Sequence, residues 1–125
     1  MKVKIDTKEK FHVISIEEAF LSANMTEELK EMLLPYREKE IKNVILKLGA
    51  VEIIDEAAAK TILDIQQSFY SNNASFVICE MKKPVVEYFD KLEILELLNS
   101  TPTESEAWDI VQMEEIEREF DTPNP

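Results

Sequence analysis

Apolar and polar residues alternate in two short stretches near the start of the chain, Val3 to Ile5 and Phe11 to Ile16, separated by the polar run Asp6-Thr7-Lys8-Glu9-Lys10. Alternation puts every second side chain on one face of a strand, and a polar run between two such stretches suits a hairpin turn. The pattern then changes period. Leu29, Met32, Leu33 and Tyr36 recur at three-four spacing, which predicts a helix with one buried face. Thr26 stands in the place of its N-cap, and Pro35, lacking an N–H, should kink or end it. Alternation returns from Asn43 to Leu48, and the only glycine, Gly49, marks the exit from that strand.

The second helix is the clearest in the chain. Ala58, Ile62, Ile65 and Phe69 form its stripe from Glu56 to about Tyr70, Asp55 is placed to cap it, and Ser71-Asn72-Asn73 should close it. Phe76 to Cys79 is apolar throughout, as expected of a strand covered on both faces. Strand, helix and strand in this order make a right-handed crossover, so the sheet must be partly parallel. Lys83-Pro84-Val85 opens a third helix with Val85, Tyr88, Phe89 and Leu92 inward. Thr103-Glu104-Ser105-Glu106 has the form of a capping box for a last helix whose apolar side is Ala107, Ile110, Val111 and Met113, with Trp108 and Phe120 also expected in the core. The order ββαβαβα plus a closing helix predicts an α/β protein with a mixed four- to five-stranded sheet packed with helices. One domain over residues 1–120 and a frayed tail over 121–125 complete the expectation.

Composition narrows what such a domain can do. No apolar run approaches the roughly 20 residues needed to span a bilayer, so neither membrane insertion nor secretion is expected. Cys79 is the only cysteine, which excludes an intrachain disulfide and suits a reducing cytoplasm. A net charge of −12 repels nucleic acid, and residues 103–121 hold −7 of it, with only Arg118 opposing eight acids. That cluster reads either as a solvated helix face or as a means of steering a basic partner. Enzyme signatures are missing: one histidine and one cysteine cannot build a zinc cluster, and one glycine cannot build a phosphate-cradling loop. A His12–Cys79 pair would need an exposed thiolate, whereas both residues fall within expected strands. Catalysis and a bound cofactor or metal are therefore not expected.

One segment carries a more specific pattern: Val44-Ile45-Leu46-Lys47-Leu48-Gly49-Ala50-Val51-Glu52-Ile53-Ile54-Asp55-Glu56-Ala57-Ala58-Ala59. It resembles the signature of the STAS domain of bacterial anti-sigma factor antagonists, in which a hydrophobic strand leads through a short loop to Asp-Ser-Ser-Gly-Leu at a helix start. Asp55 matches the aspartate, Glu56 occupies the place of the phosphorylated serine, and Ala57, Ala58 and Ala59 replace the second serine, the glycine and the leucine. Leu97, Leu98, Glu104 and Ala107 fall at matching places further on, and in Leu21-Ser22-Ala23-Asn24 the serine Ser22 replaces an aspartate usual before the first helix.

The resemblance implies a protein that acts by docking another protein, commonly a kinase-fold anti-sigma factor, from which phosphorylation ejects the family member. The docking surface it implies comprises Asp55, Glu56, Ala57, Ala58 and Lys60 together with Ser22 and Asn24. Glu56 cannot be phosphorylated. It is a lasting partial mimic of the phosphorylated state, a direct contact for a basic group, or simply a residue suited to a helix's first turn. STAS domains also serve as accessory subunits of transporters and signalling complexes, which gives a second expectation. Small-molecule sensing fits least, because the segment places carboxylates where a phosphate would lie.

Overall fold

A computed structural model describes residues 1–121. Strands β1 (Val3–Thr7) and β2 (Phe11–Ile16) form the expected antiparallel hairpin, with Asp6 and Thr7 extending the first strand so that only residues 8–10 turn. After the two-residue β3 (Phe20–Leu21), a 3-10 turn at Ala23–Met25 runs straight into α1 (Thr26–Leu33). Thr26 is thus the first helical residue rather than the cap. Its hydroxyl donates back to the Ala23 carbonyl, and Met25 holds the cap position without a side-chain bond. Pro35 ends α1 as expected, and a second 3-10 turn, Leu34–Glu38, follows.

The remaining elements are β4 (Asn43–Lys47, one residue shorter than expected), β5 (Ile53–Ile54), α2 (Glu56–Ser71), β6 (Phe76–Cys79), α3 (Lys83–Lys91), β7 (Ser100–Thr101) and α4 (Glu104–Asp121). The α2 helix closes where expected: Asn73 adopts a left-handed φ of 58°, and the N–H groups of Asn73 and Ala74 satisfy the carbonyls of Tyr70 and Phe69. The main sheet runs β1-β2-β4-β6-β7, with β1 antiparallel and the others parallel. Its five strands fulfil the mixed-sheet expectation, and α2 is the crossover between the parallel neighbours β4 and β6. β3 and β5 form a separate two-stranded parallel pair.

Period-2 alternation gives the sheet two different faces. Ile14, Ile16, Val44, Leu46, Phe76 and Ile78 point to the side covered by α1, α2 and α3, where Leu29, Leu33, Ile62, Phe69, Val85 and Phe89 complete the larger core. Phe69 and Phe76 meet with ring centroids 4.9 Å apart, and fully burying one such side chain contributes about 1.5–3 kcal/mol. Phe11, Val13, Ile45, Val77 and Cys79 point the other way and are covered by α4 through Ala107 and Val111, with Trp108 and Ile110 half-buried beside them. Trp108 packs edge-on to Phe11 at 5.0 Å, in keeping with the core role expected of it.

Met113 and Phe120 depart from expectation, being 58% and 84% exposed. The turns of α4 after Val111 face the sheet with polar side chains instead. Glu114 accepts from the Tyr70 hydroxyl at 2.8 Å and from Asn99 at 3.1 Å. Glu115 accepts from Asn43 Nδ2 at 2.6 Å, and Arg118 donates to Ser75 Oγ at 2.6 Å. Burial together with the Glu114 bond pushes the Tyr70 hydroxyl up to about 12. Asp121 ends α4, and the rest of the tail expected over 121–125 lies outside the described residues.

Candidate functional site

The short β3–β5 pair brings together two segments far apart in the chain. Ala19 O accepts from the N–H groups of Glu52 at 2.7 Å and Ile53 at 3.0 Å, and the Asp55 N–H donates to Leu21 O at 3.0 Å. This register delivers the chain after β3 and the start of α2 side by side. Asp55 then joins them with its side chain: Oδ1 caps α2 by accepting from Ala58 N–H at 2.9 Å, and Oδ2 accepts from Ala23 N–H at 2.8 Å. A carboxylate accepting backbone N–H bonds at a helix N-terminus is stabilised by charge-assisted bonding and by the helix dipole together. Asp55 is thus occupied within the fold.

Glu56, the first residue of α2, is 60% exposed and its carboxylate lies 3.7 Å from Lys60 Nζ, one turn on. Such an exposed pair contributes about 0.3–0.5 kcal/mol. Ala57 is exposed, whereas Ala58 is buried and its N–H is taken by Asp55. Ser22 is half-buried and its backbone carbonyl accepts the Met25 N–H at 2.9 Å, and Asn24 is exposed in the adjoining 3-10 turn. The seven residues named from the sequence therefore sit at the joined ends of two segments, and Glu56, Ala57, Lys60 and Asn24 present outward.

Two further residues of this surface lie outside the sequence pattern. Phe20 and Ile53 are direct cross-strand partners in the β3–β5 pair and stand 50% and 61% exposed, while their neighbours Leu21 and Ile54 point into the core. Glu52 and Lys82 form an ion pair at 3.6 Å on the same rim. The result is an apolar centre bordered by Glu52, Lys82, Glu56 and Lys60, an arrangement like the apolar core and charged rim of protein interfaces. The sequence signal for it is the pair of apolar doublets, Phe20-Leu21 and Ile53-Ile54, each placed just before a helical segment.

His12 and Cys79 do not meet. His12 bonds Thr7 Oγ1 and the Ile41 carbonyl, both at 2.9 Å, on the larger-core side of the sheet, whereas Cys79 faces α4. Burial, with the carboxylates of Glu80 and Glu104 nearby, pushes the Cys79 thiol up to about 12. The thiol should therefore stay unmodified by a thiol-specific reagent at neutral pH until the chain is denatured, which a spectrophotometric thiol titration checks. No group of three His, Cys, Asp or Glu side chains among the described residues is placed to hold a metal ion. No described helix is long and apolar enough to cross a membrane.

The five-stranded mixed sheet with an Asp-capped helix start after β4 and β5 is a fold that can be compared with known ones. Residues 2–107 match the STAS domain family, and the chain belongs to it. Among solved structures, it is similar to a candidate anti-sigma factor antagonist from Thermotoga maritima, at a TM-score of 0.75 and 19% identity over 88% of this chain and 94% of that one. It is also similar to a serine-to-glutamate variant of RsbS from Moorella thermoacetica, at a TM-score of 0.74 and 18% identity over 90% and 97%. A domain of the murine anion transporter Slc26a9 matches at a TM-score of 0.68 and 10% identity, covering 83% of this chain and 18% of the transporter. At these identities the likeness is one of fold. No curated protein sequence matches the chain.

Proposed function

We propose that this chain is a non-enzymatic, protein-binding regulator of the anti-sigma factor antagonist type, in which Glu56 stands where the switch serine would be. The observation that carries the proposal is the joint surface of β3, β5 and the α2 N-terminus. There, Phe20 and Ile53 remain exposed beside Glu56 although the register of the strand pair buries both of their neighbours. The partner is a protein of the cytoplasm, a kinase-fold anti-sigma factor being the expected type, and it would cover the apolar pair while meeting the charges of Glu56 and Lys60. With no hydroxyl at residue 56, ejection by phosphorylation at this position is removed.

The test is a pull-down from the native cell with the wild-type chain and with the double variant Phe20→Ser, Ile53→Ser. A partner retained equally by both would refute the assignment of this surface. Glu56→Ser should alter the affinity for that partner while changing stability by less than about 1 kcal/mol, since only an exposed helix-end interaction is lost. Tighter binding identifies Glu56 as a built-in phosphate mimic and weaker binding as a direct contact. Unchanged affinity with a large loss of thermal stability would make Glu56 a purely structural residue. The likeness to the transporter domain supports a second reading, an accessory subunit of a membrane complex, and recovery of a permease in the same pull-down would favour it.

A further inference from the structure

The family match ends at residue 107, but α4 continues to Asp121. The outward side of that continuation bears Met113, Ile116 and Phe120, which are 58%, 53% and 84% exposed. Their i, i+3, i+7 spacing puts all three on one stripe of the helix. The helix cannot roll to bury them. Its inward side is fixed by Ala107 and Val111 in the smaller core, by Glu104 to Lys47 at 2.9 Å, by Glu114 to Tyr70 and Asn99, and by Glu115 to Asn43. Turning the stripe inward would break these bonds and bury apolar groups against polar ones.

Charge identifies what can cover the stripe. Exposed acids border it on both sides, Glu106 and Glu117 on one and Glu119 on the other, with Asp109 in line with it one turn before Met113. A second copy would bring the same acids against themselves, and anionic lipid would be repelled by a chain of net charge −12. We propose that the outer face of α4 docks a basic amphipathic segment of another protein, an apolar helix face flanked by lysine or arginine. Its apolar side would cover Met113, Ile116 and Phe120 while its cations meet the acidic border. This surface lies on the opposite side of the sheet from the packed body of α2, so it is separate from the surface proposed above and does not depend on it.

The test uses the full chain and three labelled synthetic peptides of about 20 residues, long enough to form a helix. One has lysine and leucine at heptad spacing, one has the same composition in scrambled order, and one has glutamate in place of lysine. Fluorescence anisotropy should show the ordered basic peptide binding at least about tenfold tighter than the scrambled one, because three apolar side chains are covered only by an apolar face. The triple variant Met113→Ser, Ile116→Ser, Phe120→Ser should lose that preference with an unchanged thermal melt. Should that variant not fold, the charge reversal Asp109→Lys, Glu117→Lys, Glu119→Lys carries the test by shifting preference to the glutamate peptide. Equal binding of ordered and scrambled peptides, or an undiminished preference in a folded triple variant, overturns the proposal. So does a dimer in sedimentation equilibrium that the triple variant dissolves, since the occupant would then be a second copy.

Discussion

Asn43→Ala should lower the unfolding free energy by about 2–4 kcal/mol, seen as a reduced urea midpoint with an unchanged slope. Asn43 is 4% exposed and bonds in three directions: Nδ2 donates to the Lys10 carbonyl at 3.0 Å and to Glu115 at 2.6 Å, and Oδ1 accepts from the Ser75 N–H at 2.8 Å. One side chain thus ties the β1–β2 turn, the start of β4, the approach to β6 and the inward side of α4. Alanine would leave the Ser75 N–H buried without an acceptor, and unpaired buried donors cost more than the net value of an ordinary hydrogen bond. Asn43→Asp should be no milder, because a carboxylate would face the Glu115 carboxylate and the Lys10 carbonyl. A loss below about 1 kcal/mol in the alanine variant would mean that water replaces the amide, and the joint would not be structural.

Asp55→Ala should cost about 2–3 kcal/mol, since two charge-assisted bonds to backbone N–H groups and a favourable helix-end charge disappear together. Its effect should be felt in two places. Amide exchange should speed up at Ala58 in the first turn of α2 and at Ala23 across the gap, because Asp55 is the acceptor for both. Partner binding should weaken beyond what the stability change explains, as Ser22 and Asn24 would no longer be held beside Glu56. Asp55→Asn, which keeps one amide oxygen for the cap, should lose protection at Ala23 but retain it at Ala58. Unaltered exchange at Ala23 would show that β3–β5 pairing alone holds the two segments in register.

Long elements were legible because their periods repeat. The four residues Ala58, Ile62, Ile65 and Phe69 are all buried on α2, and Asp55 caps it as its position indicated. Two-residue strands have no period to read. β3, β5 and β7 exist because longer elements bring their backbones into pairing distance, so Phe20 and Ile53 could not be recognised as partners from alternation. Thr26 misled because the 3-10 turn Ala23–Met25 runs straight into α1, so that its N–H and its hydroxyl both turn back onto the Ala23 carbonyl and the hydroxyl caps nothing ahead of it. Met113 misled for a geometric reason: it lies about 200° around the helix from Val111, while the three-four continuation passes through Glu114, Glu115 and Arg118. The acid cluster was similarly two things at once. Glu104, Glu114 and Glu115 are internal acceptors, and Glu104 is held below the usual carboxylate range chiefly by its bond to Lys47, whereas Asp109, Glu117 and Glu119 are solvated.

The unequal covering of the sheet bears on how the chain comes off the ribosome. Every strand and the three helices over the larger core precede α4 in the chain, so that side of the sheet can close while synthesis is still under way. The other side cannot. Phe11, Val13, Ile45, Val77 and Cys79 stay bare until α4 has emerged, and in that interval the nascent chain presents a flat, sticky apolar surface of the kind that chaperones bind. Cys79, sealed from solvent in the finished protein, is open to oxidation only during this interval.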